Sequence, residues 1–412
     1  MPVDLAPGLI RPDLPAPARR GLCTDGGLSR MALARDCGRA CQFIAPDYAA
    51  AERAVHGRAR AESGDELFFG PFLAMYRARL TPPAPGAQRS GITTRLAEKL
   101  LQSGAVSAVL TMAPDPADRW RPMPVIVTRP EAMAACRGMR MGTAPLLALL
   151  EPAIAAGHRR LATIGIPCQV HALRHIEHKL GLERLYVIGT PCADNTTTEN
   201  VHRFLALLDG QPESITYLEF RPDYRVEIRH TDGRVRTIPF LMLPLAKLPA
   251  DIFPLTCRTC VDYTHALADI TVGYMGGQGA QWLIVRNARG QELLELIRPE
   301  LVLETPGSAG HRAAAVRGFA AQAARAAGGL PLRRMPRFLR PLVAWLQPRL
   351  GPRGLEFARA RVEMKAVETI LQLRRTSPRR LRRMVPAHVW RLVAPYGITP
   401  EPRKAPGPPA SG

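Results

Sequence analysis

The chain has 412 residues, 46% of them hydrophobic, and a formal charge of +21 at pH 7. That length supports roughly two or three domains with a sizeable core, and no apolar run of about 18 residues is present to cross a membrane. Eight cysteines in so long a chain are too few for a disulfide scaffold, and the Pro- and Ala-rich N-terminus lacks a secretory apolar segment, so a cytoplasmic setting and metal ligation are expected.

In chain order, residues 1–20 read as a flexible leader, 21–80 as a cysteine-bearing segment, 81–300 as an α/β core and 301–412 as a basic helical region. Within the second segment, residues 21–48 look loop-like and hold Cys23, Cys37 and Cys41; Thr81 to Gly86 is a proline-rich break. The pattern then predicts a helix over Ile92–Gly104, strands over Val106–Met112 and Pro124–Thr128, and a helix over Ala144–Ala156. A strand over Leu161–Ile166, a helix over Val170–Leu180, a strand over Leu185–Ile188 and a helix over Thr198–Leu208 follow. Ile215–Phe220, Arg225–His230 and Val235–Pro239 alternate as antiparallel strands, with Asp232-Gly233 as a hairpin turn. Two further strands, Ile270–Gly273 and Trp282–Arg286, flank a Gly-rich stretch at 273–279. After about residue 305 the composition is helical but broken by prolines. No internal repeat is present. The fold class is α/β, a mixed-sheet core with an N-terminal cysteine segment and a basic helical extension.

Four cysteines stand out from the others. Cys168 lies in Gly165-Ile-Pro-Cys-Gln169, Cys192 in Gly189-Thr-Pro-Cys-Ala-Asp-Asn195, and Cys257 and Cys260 form a C-x-x-C. Both Gly-x-Pro-Cys turns follow predicted strands, and in open α/β sheets sites collect beyond the carboxyl ends of strands. Cys168 and Cys192 are therefore expected side by side despite the sequence between them. Four thiolates suit a [4Fe-4S] cluster and suit structural zinc equally, and the residues alone leave that choice open. The trio Cys23, Cys37 and Cys41 is spaced like a ferredoxin loop but lacks a fourth thiol, for which Asp25 is a candidate. Cys136 reads as a structural thiol.

Ser90, Gly91, Thr93 and Thr94 open a predicted helix, and their hydroxyls and N–H groups could cradle a phosphate or simply cap the helix. Charge is concentrated at the end of the chain. From Arg312 to Lys404 there are 21 Lys+Arg against four acids, a surplus of +17 that leaves +4 for the rest. In that region, Leu332–Leu350 alternates arginines with Phe338, Leu342, Val343, Trp345 and Leu346, which suits either a packed helix or an anionic lipid surface. The basic cluster at Arg374-Arg375 and 379–383 carries no interleaved aromatics, so nucleic acid is not expected. An acidic protein partner fits it.

The strings GIPCQVHALR (165–174), GTPCADN (189–195), CRTCVDYTHALADITVGYMG (257–276) and SGITTRLAEKLLQSGAVSAVL (90–110) resemble the coenzyme F420 hydrogenase/dehydrogenase beta-subunit family. The likeness is strongest to its chlorophyll branch, which holds the ferredoxin-dependent divinyl chlorophyllide 8-vinyl reductases and 7-hydroxymethyl chlorophyll a reductases. It spans roughly residues 20–300. The resemblance implies FAD and a [4Fe-4S] cluster on Cys168, Cys192, Cys257 and Cys260. It places flavin contacts at Ser90, Gly91, Thr93, Thr94, Gln169, Asn195, Gly273 and Gly276. Cys23, Cys37 and Cys41 match the family's N-terminal cluster segment, but the family pattern there begins C-x-x-C and this chain has Gly26 at the second cysteine, which puts a second cluster in doubt. Candidate proton donors are His171, Asp194, Tyr263 and His265. The implied function is reduction of the 8-vinyl group of a divinyl chlorophyllide in (bacterio)chlorophyll biosynthesis, with reduced ferredoxin as donor and a chlorophyllide-type tetrapyrrole as substrate. Peripheral contact with the photosynthetic membrane and a homo-oligomer are further expectations. Competing readings are a 7-hydroxymethyl or F420-linked reductase, a non-catalytic electron-transfer subunit, and a zinc-stapled basic protein.

Overall fold

The computed structural model describes residues 5–17, 23–44, 46–221, 223–274, 280–327 and 335–400. Its principal strands are β1 (Leu9–Ile10), β2 (Ala74–Leu80), β3 (Ala108–Asp115), β4 (Asp118–Val127), β5 (Arg160–Gly165), β6 (Arg184–Gly189), β7 (Ile215–Phe220), β8 (Arg225–His230), β9 (Val235–Pro239), β10 (Ile270–Tyr274), β11 (Gln281–Val285) and β12 (Leu301–Glu304). Nine of them form one mixed sheet in the order β1-β4-β3-β5-β6-β10-β11-β2-β12, and β7-β8-β9 form a separate antiparallel sheet. The β3-β5-β6-β10 centre is parallel.

The apolar runs of β5 and β6 arise because both faces of this centre are covered. One face, with Ala162 and Ile188, packs on Ile92, Leu96 and Leu100 of the Ile92–Gln102 helix and on Leu293, Leu294 and Ile297 of the Ala288–Ile297 helix. The other, with Leu161 and Val187, packs on Val170 and Leu173 of the Pro167–Ile176 helix. The Thr198–Leu208 helix covers the small sheet through Val201, Phe204 and Leu208. The C-terminal helices Arg312–Ala326, Leu355–Thr376 and Ala387–Val393 share a core of their own. They are also welded to the main sheet, because Ala358, Val362 and Leu392 pack on Phe69, Tyr263 and Trp282.

Several boundaries differ from the sequence expectation. The helix expected from Val170 begins at Pro167, since proline is favoured in the first turn where its missing N–H costs nothing. The helix expected over 144–156 is split into a 3-10 turn at Leu146–Leu149 and a helix at Leu150–Ala155. Three strands were not foreseen: β1 lies in the expected leader and pairs with β4, β2 lies in the cysteine-bearing segment and pairs with β11, and β12 opens the expected helical region and pairs with β2.

A buried carboxylate joins the central elements. Asp269, fully excluded from solvent, accepts from Val187 N of β6 at 2.7 Å, Arg174 Nη2 of the Pro167–Ile176 helix at 2.8 Å and Asn287 Nδ2 at 2.8 Å. Arg289 Nε lies 3.1 Å away. Its own backbone N–H donates to Val187 O, and its carbonyl accepts from Arg286 N. Removing one member of such a network strands the others without water. Asp269→Ala is expected to cost about 3–5 kcal/mol, read as a lower urea midpoint; an unchanged midpoint would remove Asp269 from this role.

Candidate functional site

β5 and β6 run in register with Gly165 opposite Gly189. Cys168 and Cys192 each follow three residues later, so both emerge at one carboxyl edge. Cys168 sits in the first turn of its helix. Cys192 follows a loop whose proline is seated on β10: a Cβ at Gly273 would overlap the Pro191 ring. β10 begins level with the end of β6, Thr271 opposite Gly189, which brings the preceding 257–269 loop to the same edge. Cys257 lies in the short Leu255–Arg258 helix, and Cys260 N donates to Cys257 O at 3.2 Å. Cys192 N donates to Tyr263 O at 3.1 Å, locking the two loops together.

The four thiols lie within electrostatic reach of one another: Cys168 and Cys192 each feel Cys257 and Cys260, and Cys192 feels Cys168. Burial pushes all four up, Cys257 to about 11 and Cys260 to about 12. Buried thiols of this kind ionise only when a cation compensates them, and a bound metal does so. Among the described residues no three His, Cys, Asp or Glu side chains converge on a single metal-ion position. Donors to the sulfurs are present: Gln42 Nε2 reaches Cys260 Sγ at 3.3 Å, and the Asn195 N–H faces the Cys257 sulfur.

The C-terminal extension supplies part of this site. Lys365, on the Leu355–Thr376 helix, is 5% exposed and donates to Asp194 Oδ1 and Cys257 O, both at 2.8 Å. Thr369 Oγ1 donates to Cys260 O at 3.1 Å. Burial pushes the Asp194 carboxyl up to about 6, against the pull of Lys365. Lys365 lies far from these cysteines in sequence and carries no local signal, and neither does Gln42.

The other proton-donor candidates are enclosed. His171 donates from Nδ1 to Ala40 O at 2.9 Å, stacks on His175 at 4.5 Å, and is held neutral by burial, its pKa pulled down to about 4. His265, at φ 62°, fills the space left by Gly189, and burial pulls it down to about 3. The Tyr263 ring packs with Phe69 and Trp282, and burial raises its hydroxyl.

Cys41 feels Cys23 and is felt by Cys168, so the trio lies beside the four-cysteine set. The carboxylate of Asp25 pairs with Arg30 Nη2 at 2.6 Å through Oδ2, while Oδ1 is buried without a hydrogen-bond partner. Gly26 and Gly27 differ. A Cβ on Gly26 would meet Gln169 Cγ at an ordinary 3.6 Å, whereas Gly27, at φ 106°, would drive one into the 145–148 backbone. The fold therefore tolerates a side chain at 26.

At the expected flavin side, Ser90 Oγ donates to Gln281 Oε1 at 2.9 Å, and Ile92 N reaches the same oxygen. Gly91 caps the helix at φ 89°, and Thr93 and Thr94 lie in its first turn. Arg89, beside them, is half-buried: its Nε pairs with Glu219 Oε1 at 3.3 Å, its Nη2 is enclosed without a hydrogen-bond partner, and its guanidinium sits 5.2 Å over the Tyr274 ring. A guanidinium oriented by one carboxylate, with Nη2 unpaired beside a helix N-terminus, can also take a phosphate oxygen. Gln169 and Asn195 are committed to the scaffold. Gln169 spans Ile166 N and Ala144 O, and Asn195 clasps Gly142 from both its oxygen and its nitrogen. Gly276 lies outside the described residues.

Residues 75–151 match the family profile described as coenzyme F420 hydrogenase/dehydrogenase, beta subunit N-term, and residues 158–308 match its C-terminal counterpart. The chain is 35% identical over 392 residues to the chloroplastic 7-hydroxymethyl chlorophyll a reductase of Oryza sativa subsp. japonica, covering 91% of this chain and 82% of that protein. It is 36% identical to an uncharacterised protein of Nostoc sp., covering 94% of this chain and 96% of the other. A chain of the F420-reducing [NiFe] hydrogenase complex from Methanosarcina barkeri shares the fold at a TM-score of 0.52 and 21% identity, over 58% of this chain and 84% of that one.

The Lys365 contacts generate a contrast within the tail. Lys365→Met strands the Asp194 carboxylate and is expected to cost about 3 kcal/mol, whereas Arg379→Met, on an exposed turn, stays within about 0.5 kcal/mol. Equal urea midpoints for the two variants would contradict the assignment.

Proposed function

Since the chain belongs to the coenzyme F420 hydrogenase/dehydrogenase beta-subunit family, we propose that it is a ferredoxin-dependent flavin and iron–sulfur reductase acting on the 8-vinyl group of a divinyl chlorophyllide. The observation that carries this reading is the convergence of Cys168, Cys192, Cys257 and Cys260 on one sheet edge, within electrostatic reach of one another. These four would hold a [4Fe-4S] cluster. Arg89, through the Nη2 left beside its ion pair with Glu219, and the helix opened by Gly91, Thr93 and Thr94 would hold the phosphates of FAD. When bound, the pair would convert two one-electron deliveries into one hydride equivalent. Vinyl to ethyl then consumes two electrons and two protons.

This chain's residues divide the remaining work. Lys365 and Thr369 brace the C-x-x-C carbonyls and bring a fixed positive charge to the thiolates. Neutral His171 and His265 position the cysteine-bearing elements rather than give protons. Asp194 and Tyr263 are the proton-donor candidates. The trio Cys23, Cys37 and Cys41 is left incomplete, so one cluster per chain suffices.

Among the described residues no helix is long and apolar enough to cross a membrane. The exposed Phe338, Leu342 and Trp345, beside Arg337 and Arg349, would instead rest on the headgroups where a chlorophyllide-type substrate is held.

A second reading follows from the rice relative, whose name specifies a 7-hydroxymethyl substrate. Anaerobic protein supplied with reduced ferredoxin should convert divinyl chlorophyllide to the ethyl product and leave 7-hydroxymethyl chlorophyll a unchanged; the reverse preference would select the second reading. Analysis of the same protein should return about four irons and four sulfides per chain, and about eight irons would contradict the single-cluster assignment.

A further inference from the structure

A pocket lies near the cysteine set, beside Tyr48. About 540 Å³ in volume, it opens between the start of the Tyr48–His56 helix, residues 59–62, and the C-terminal turn from Arg383 to Arg391. Tyr48 forms part of its wall and is 3% exposed. The Tyr48 hydroxyl donates to Gln42 Oε1 at 2.7 Å, and Gln42 Nε2 donates to Cys260 Sγ at 3.3 Å. Two hydrogen bonds thus separate the pocket wall from a thiol of the complete four-cysteine set.

Arg53, Arg60, Arg383 and Arg391 line the pocket together with Asp47, Glu52 and Glu62. Arg60 is committed to buried Glu52, and Arg391 pairs with Glu62 at 2.6 Å. Arg53 and Arg383 have no acidic partner among the described residues. Neither do Arg379, Arg380 and Arg382, which are exposed on the short turn leading into the pocket. Buried Leu381 and Met384 anchor that turn in the C-terminal core. The turn itself is therefore anchored, and its arginines project into solvent.

We propose that this surface is where a small acidic one-electron carrier protein of the ferredoxin class docks. Electrons pass from it through the Tyr48–Gln42 wall directly to the Cys260 set. The inference rests on the reductase reading and adds its electron inlet. It also gives the missing thiol at Gly26 a consequence, since a carrier docked here bypasses the incomplete Cys23, Cys37 and Cys41 trio. Each encounter oxidises the carrier by one electron and reduces the cluster by one. No bond breaks at the dock, no proton is needed there, and two encounters supply one hydride equivalent. The charge pattern selects the partner: Arg53 and Arg383 at the pocket, with Arg379, Arg380 and Arg382 on the adjoining turn, lack acidic partners among the described residues, and an acidic surface carrying a near-surface redox centre complements them.

The test is stopped-flow reduction of the full-length anaerobic protein by a reduced plant-type [2Fe-2S] ferredoxin. Three proteins are compared: the wild type, Arg380→Glu/Arg383→Glu, and Arg119→Glu/Arg225→Glu as a charge-matched control on exposed sites elsewhere. At about 50 mM ionic strength the dock variant should be reduced roughly tenfold more slowly than wild type, the control within about twofold, and the gap should close by about 0.5 M salt. Dithionite, which needs no dock, should reduce all three alike. A dock variant reduced by ferredoxin at the wild-type rate, or a control slowed as much, overturns the dock while leaving the reductase reading intact. A wild-type protein that dithionite does not bleach overturns the reductase reading itself, and the dock with it.

Discussion

The site depends on one buried carboxylate. Asp269 has no access to water, so it must be satisfied from within, and its donors come from the elements that carry the conspicuous cysteines. Arg174 is on the helix that opens with Cys168, Val187 is on the strand that leads to Cys192, and Asp269 itself ends the loop that carries Cys257 and Cys260. A shift of any one element would leave a charge or a donor unpaired in an apolar interior, which is costly enough to fix their relative placement. Gly290 serves the same end: a Cβ there would overlap the Asp269 carbonyl. The relative placement of the three cysteine-bearing elements is thus set by a network beneath them.

A second constraint comes from the far end of the chain. The C-terminal region holds most of the net charge, yet its functional contacts are made by its few buried polar groups. Lys365 and Thr369 face inward onto the C-x-x-C, while Leu381 and Met384 hold a basic turn outward. One helical unit therefore closes the site on its inner face and presents arginines to solvent on its outer one. That division rests on packing, because buried Leu381 and Met384 anchor the turn that carries the exposed charge.

Parts of this organisation were legible in the residues. The parallel centre could be read because strands buried on both faces leave continuous apolar runs at 161–166 and 185–188, and the small sheet because alternation and Asp232-Gly233 mark hairpins. The meeting of Cys168 and Cys192 followed from the two Gly-x-Pro-Cys turns, and the register of β5 and β6 bears it out. β2 escaped notice because AMYRARL alternates with arginines and finds its partners β11 and β12 some two hundred residues away. Lys365, Gln42 and Asp269 were equally silent: each acts through contacts between distant segments, which no local spacing records. Arg89 lay inside a recognised motif, but only its distant partners, Glu219 on β7 and the Tyr274 ring, separate it from an ordinary surface arginine.

The central claim is that Cys168, Cys192, Cys257 and Cys260 hold the indispensable cluster while the N-terminal trio does not. Electron paramagnetic resonance of the dithionite-reduced, anaerobically prepared protein tests it most directly, with Cys260→Ala compared against Cys41→Ala. The account predicts a reduced-cluster signal that Cys260→Ala abolishes and Cys41→Ala retains. A signal that survives Cys260→Ala, or one that vanishes in Cys41→Ala alone, would contradict it.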